Sequence, residues 1–246
     1  MIVLSAGMPK SGTGWYFFLT NDLLVAAGFE DVNVVRDRFH LHSIMQFQNC
    51  YIGTPTVPKL ALLSIPHLMG HRFPVKTHTN PLPSLQYLMR TSFLRATYIY
   101  RDPRDAALSA FEFGQKIRES LPTNPLAQLE CLEDVIPMVK EWLLRWERWM
   151  RCERALMVRY EDLVADPVNE LERLASHLSV SVPNPVLQSI AARYQPGPGR
   201  TDLESRSGLH FNKGEVGRFR RVMNRAQLDL CREHLGEYVR MMGYPD

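Results

Sequence analysis

The nine residues Gly7-Met8-Pro9-Lys10-Ser11-Gly12-Thr13-Gly14-Trp15 stand between an apolar run, Met1 to Ala6, and an apolar segment from Tyr16 to Ala27. That order predicts a strand, a glycine-rich turn and a helix. Glycines in such a turn let backbone N–H groups face inward, and the following helix adds the positive end of its dipole. The chemistry on offer is that of a phosphate cradle.

The place of the lysine separates two kinds of phosphate chemistry. An ATP-type loop, G-x-x-x-x-G-K-[ST], sets lysine directly after the second glycine for the β- and γ-phosphates, with a hydroxyl beside it for Mg²⁺. Gly7 and Gly12 have that glycine spacing, but Thr13 and Gly14 follow them and the lysine comes early, as Lys10. The loop is shaped for a phosphate yet lacks the usual triphosphate lysine and metal hydroxyl. The rival readings are a nucleotide or small-molecule kinase of related fold and a nucleotide-binding protein without catalysis.

A second candidate anion site starts in the β-rich run Ala96 to Tyr100 and ends in Arg101-Asp102-Pro103-Arg104-Asp105. Asp102 as N-cap and Pro103 at the first helical position open a helix that runs through Ala106 to about Phe113. Arg101 is thereby left at the carboxyl end of a strand, the edge of an open parallel sheet where ligands bind. Between the two sites, Phe73 to His78 predicts a short strand before the turn Asn80-Pro81-Leu82-Pro83. Val139 to Met150 predicts a helix with Trp142, Trp146 and Trp149 at i, i+4 and i+7, a stripe expected in the core. Ala155 to Tyr160 predicts another strand, Asp166-Pro167 opens a helix through about Leu178, and Arg225 to Met242 forms a last amphipathic helix.

Strands alternating with helices imply an α/β fold with a central parallel sheet flanked by helices. Two stretches, 36–72 and 194–217, lack a clean period and are expected to be lid segments over substrate and cofactor. His40-x-His42 has no third ligand at suitable spacing, which favours a loop role over a metal site.

With 246 residues, 45% of them hydrophobic, the chain suffices for one α/β domain over 1–246. A formal charge of +3 is too small to argue for nucleic acid, but it suits a polyanionic small molecule. The segment Ile2-Val3-Leu4 has no basic n-region before it, and no apolar run approaches the roughly 20 residues of a membrane helix. Cys50, Cys131, Cys152 and Cys231 are scattered without C-x-x-C spacing, which speaks against zinc and against a disulfide framework. A cytoplasmic setting without a metal requirement is the expectation.

Several segments match one family's pattern in that family's order. Pro9-Lys10-Ser11-Gly12-Thr13 with Trp15 resembles the 5′-phosphosulfate loop of sulfotransferases that use 3′-phosphoadenylyl sulfate, the cytosolic-type and bacterial small-molecule enzymes. Lys76-Thr77-His78 resembles the segment carrying their catalytic base, and Arg101 with Ser109 the pair that grips the cofactor's 3′-phosphate. Tyr160-Glu161-Asp162 resembles the segment whose tyrosine lies near the adenine. Phe211 to Arg218, with Asn212, Lys213 and Gly214, resembles the late loop that closes over the same 3′-phosphate.

The resemblance implies a Rossmann-like P-loop fold and transfer of a sulfuryl group to a hydroxyl, less readily an amine, of a small acceptor of apolar or aromatic character. His78 would be the general base, Lys10 would neutralise charge on the bridging 5′-phosphate oxygen, and Lys76 would hold the sulfonate. Ser11, Gly12, Thr13 and Gly14 would line the phosphosulfate and Trp15 would lie beside the adenine. A histidine of unperturbed pKa about 6.5 suits that task near neutrality. The sequence also departs from the pattern: Asn212 stands for an arginine, Gly14 for a second threonine, Phe219 for a tryptophan and Arg218 for an acidic residue. The short C-terminal dimer motif of the animal enzymes is missing, and the oligomeric state is left open.

Overall fold

The computed structural model describes residues 1–194 and 214–245. Its centre is a four-stranded sheet in the order β2-β1-β3-β4. β1 (Ile2–Gly7) is buried at every position, as befits a strand covered on both faces. It pairs in parallel with β2 (Phe73–Thr77), Ala6 facing Thr77, and with β3 (Leu94–Tyr100), Gly7 facing Ile99. β3 pairs in parallel with β4 (Ala155–Arg159). All carboxyl ends therefore lie on one edge. Because β1 has β2 on one side and β3 on the other, the chain reverses its winding there, and a crevice opens outside the carboxyl ends.

The predicted helices after the glycine loop, Asp102, Val139, Asp166 and Arg225 are present, and Val32–Arg38, Val57–Leu68, Pro83–Arg90 and Asn184–Arg193 are additional to them. α1 (Thr13–Ala26) starts directly after Gly12 and buries most of its residues against the sheet. α2 (Val32–Arg38), α3 (Val57–Leu68) and α4 (Pro83–Arg90) follow in the first half. α5 (Pro103–Ile117) is capped as the sequence implied, the Asp102 carboxylate accepting the Arg104 N–H at 2.9 Å. α6 (Ile136–Met150) carries the tryptophan stripe, with Trp142, Trp146 and Trp149 all buried. α7 (Tyr160–Ala165), α8 (Pro167–Leu178) and α9 (Asn184–Arg193) precede the C-terminal helix Arg225–Met241, which opens on an Asn224–Gln227 capping box. Among the described residues no helix is long and apolar enough to cross a membrane.

The expectation of an irregular 36–72 stretch is corrected: it holds the end of α2, a 3₁₀ turn at Leu41–Ser43 and the whole of α3. α3 hides from pattern reading because its apolar residues lie on more than one side, with Leu60 and Leu63 buried but Leu62, Ile65 and Leu68 exposed. The Asn80–Pro83 turn is likewise followed by a helix, with Pro83 in its first turn. Of the other expected lid, 194–217, only Tyr194 and 214–217 fall within the described residues; Asn212 and Lys213 lie outside them. His40 precedes the 3₁₀ turn with φ 52°, and His42 Nε2 sits 3.1 Å from the Asp37 carboxylate.

Candidate active site

Four strand ends deliver the site. After β1 comes the glycine loop; at the end of β2 come Lys76 and, just beyond, His78; after β3 comes Arg101; after β4, Tyr160 opens α7. Together with Gly214, Glu215 and Arg218 they line one cavity of about 430 Å³, whose wall also includes Asn49, Asp105, Ser109, Phe113, Asn124 and Leu126.

Gly12 has φ 78°, in the left-handed region, and a Cβ there would lie 2.8 Å from the Tyr160 ring, so the loop's sharpest point requires glycine on two grounds. Thr13, Gly14 and Trp15 then supply the first turn of α1, whose N–H groups have no partner further back in the helix. Ser11 departs from its expected ligand role. Fully buried, it directs its hydroxyl to the Met8 carbonyl at 2.5 Å and the Ile99 carbonyl at 3.1 Å, stitching the loop to β3 rather than facing a ligand.

Three cations converge on the cavity. Lys10 is held at φ 65° with its ammonium 3.7 Å from the centre of the Phe113 ring. Burial, helped by the charges of Lys76 and Arg101, lowers its pKa to about 8. Burial alone lowers Lys76 to about 8. Arg101 spends one nitrogen on the Glu215 carbonyl at 2.5 Å, while its Nε is buried without an acceptor among the described residues. Desolvated, mutually repelling cations beside an orphaned guanidinium donor fit a polyanion, which would relieve the repulsion and meet the donor.

His78 is fixed by one bond. Its Nδ1 lies 2.7 Å from the Gly7 carbonyl oxygen, which can only accept, so Nδ1 carries the proton and Nε2 keeps its lone pair. Burial, then the charge of Lys76, lowers its pKa to about 3, and the ring is neutral across the physiological range. Two neighbours hold the surrounding backbone. The segment Cys50–Ile52 adds to the free edge of β2 through Lys76 N–H to the Cys50 carbonyl, 3.1 Å, and Ile52 N–H to the Lys76 carbonyl, 2.9 Å. Trp149 Nε1 donates to the Thr79 carbonyl at 2.9 Å, so one tryptophan of the core stripe also pins the chain leaving His78.

Trp15 and Tyr160 meet edge to face, ring centroids 6.1 Å apart, with the Arg101 guanidinium 4.4 Å above the Tyr160 ring. Both aromatics are buried and border the cavity. The fold thus brings together every described residue expected at the site, apart from the redirected Ser11 hydroxyl. Asn49, Asp105, Phe113, Asn124 and Leu126 were missed. Asp105 and Phe113 had a signal: with Ser109 they recur every four residues along α5, which places the three on one helix face, and Arg101 lies one such step before them at the strand end. Asn49 had none.

A family model, the sulfotransferase domain, matches residues 2–243. The chain belongs to the sulfotransferase family. As a member it is a sulfotransferase, with the P-loop fold of that family. Sulfotransferase 6B1 of Mus musculus is 21% identical over 92% of this chain and 72% of its own length. Cytosolic sulfotransferase 15 of Arabidopsis thaliana is 30% identical over 72% of this chain. The chain spans only 51% of that plant enzyme's length. Two solved structures share the fold. Retinol dehydratase, in complex with androsterone and the inactive cofactor PAP, gives a TM-score of 0.63 at 15% identity, covering 100% of this chain and 82% of its own. Mouse sulfotransferase SULT7A1, complexed with PAP, gives 0.60 at 19% identity, covering 97% of this chain and 84% of its own.

Proposed function

We propose that this chain, as one domain, transfers the sulfuryl group of 3′-phosphoadenylyl sulfate to a hydroxyl of a small, partly apolar acceptor. The observation that carries the reading is the placement of a neutral histidine, its tautomer fixed by the Gly7 carbonyl, in the same cavity as two desolvated lysines and a phosphate-type loop. When bound, the cofactor supplies an electrophilic sulfuryl group on a stabilised leaving group. The backbone of Gly12 to Trp15 and Lys10 would hold its 5′-phosphosulfate, Arg101 and Ser109 the 3′-phosphate, and Trp15 and Tyr160 would border the adenine.

His78 Nε2 would accept the proton of the acceptor hydroxyl. Lys10 would neutralise charge on the 5′-phosphate oxygen, and Lys76 would hold the sulfonate oxygens. Positioning and charge stabilisation are what such a transfer asks of a protein. Two apolar residues of the lining, Phe113 and Leu126, suit an acceptor with an apolar or aromatic body, the class of the androsterone and retinol bound by the structural relatives.

Calorimetry with adenosine 3′,5′-bisphosphate, set against ADP plus Mg²⁺, tests the cofactor class. Micromolar or tighter binding of the bisphosphate without metal is expected; preference for ADP with Mg²⁺ would replace sulfuryl transfer by a kinase reaction.

A further inference from the structure

Among the groups lining the cavity, Asp105 carries charge of the wrong sign for a polyanion. It is 2% exposed, four residues after Arg101 and four before Ser109, and all three border the cavity. A buried carboxylate there opposes an anionic ligand and needs partners of its own. It has them in the late segment of the chain. Oδ2 accepts the Gly217 N–H at 2.6 Å and Oδ1 accepts the Phe219 N–H at 3.0 Å. Arg101 Nη2 lies 3.3 Å from Oδ2, and the same nitrogen donates to the Glu215 carbonyl. Arg218 pairs with Glu112, also on α5. One helix therefore grips the segment 215–219 through successive backbone and side-chain contacts, and Asp105 makes two of them.

We propose that Asp105 is a positioning residue whose carboxylate latches Glu215 to Phe219 onto α5, and so fixes both Gly214 and Arg101 at the 3′-phosphate end of the nucleotide site. The proposal rests on the sulfotransferase reading for the identity of the anion. It carries a sign that simple electrostatics does not share. If Asp105 were only a like-charged neighbour of the ligand, neutralising it would tighten binding. As a latch it acts the other way. Asp105→Asn keeps the shape but turns a donor toward a backbone donor, so one of the two N–H groups loses its acceptor and the segment loosens.

The test compares wild type and Asp105→Asn in their affinity for adenosine 3′,5′-bisphosphate and for adenosine 5′-monophosphate, which lacks the 3′-phosphate. The variant is expected to weaken bisphosphate binding by about tenfold or more and monophosphate binding by less than about twofold. Unchanged or tighter bisphosphate binding, or equal losses for both ligands, would overturn the latch. A wild type that does not distinguish the two nucleotides would bring down the 3′-phosphate site itself, and the sulfotransferase reading with it. Amide hydrogen exchange in the wild-type protein needs no variant to fold. The Gly217 and Phe219 N–H groups should exchange as slowly as those in the middle of α5, and exchange at the rate of an open peptide would overturn the proposal.

Discussion

His78 and the two lysines differ in what pH should reveal. With its pKa lowered to about 3, His78 is already neutral above that value, so kcat/KM should show no acid limb near the free-imidazole value of about 6.5. A limb there would mean the ring is not desolvated as described. Replacement by alanine should cut turnover by roughly 10²-fold or more while leaving bisphosphate affinity nearly intact; normal turnover would end its role as base. Lys10 and Lys76, lowered to about 8, lose their charge as pH rises through that value in the free protein, whereas a bound polyanion favours the charged forms. Bisphosphate affinity should hold below pH 8 and decline above it, by up to about tenfold per pH unit through Lys10, with proton uptake on binding near pH 8. Calorimetry at pH 7, 8 and 9 in two buffers of different ionisation heat reads both quantities. At this scale the sequence was most informative about groups that act alone. Lys10 and Arg101 stand out by type and place, and Lys76 and His78 through the family resemblance of their segment, whereas Ser11 looks like a ligand until its hydroxyl is seen bonded to the Met8 and Ile99 carbonyls.

The elements that carry these residues were legible where a strong local cause defines them. The Asp102–Pro103 start of α5 and the mostly apolar run of β1, broken only by Ser5, are such cases. α3 was not, since its sequence lacks a single apolar stripe, and the edge segment Cys50–Ile52 was not, since its pairing with β2 is a long-range event with no local signature. Contact between α5 and the 3₁₀ turn Pro125–Gln128 belongs to the same class. A Cβ on Gly114 would fall 1.9 Å from the Leu126 carbonyl oxygen, so the helix and the turn approach only because that position is bare. Gly114→Ala should cost about 1–3 kcal/mol by forcing them apart, visible as a lower Tm. Because Asn124 and Leu126 of that turn border the cavity and belong to none of the segments assigned to the nucleotide, acceptor KM should change more than bisphosphate affinity. Unaltered stability would mean the turn is free to move.

At the scale of the molecule, the last described residues close back on the first turn of α5. Tyr244 donates to Glu161 Oε2 at 2.8 Å, the other oxygen of Glu161 accepts the Asp102 N–H at 3.1 Å, and Arg104, paired with Asp102, reaches the Pro245 carbonyl at 2.6 Å. Tyr244→Phe removes one donor from a half-buried carboxylate and should cost about 1 kcal/mol, measured as a lower urea midpoint with unchanged slope. A midpoint equal to wild type would show that the carboxylate finds water instead. The sheet has a different consequence, one that concerns synthesis. β1 lies between its partners, yet it precedes both in the chain, and Gly7 pairs with Ile99. At 5–20 residues per second, the ribosome needs roughly 5–20 s to make the intervening stretch. For that time a buried-type hydrophobic strand, with both edges unpaired until β2 is made and one edge unpaired until β3 follows, is exposed to other nascent chains. Co-translational chaperoning, rather than any contact in the finished fold, is what this strand order asks of the cell.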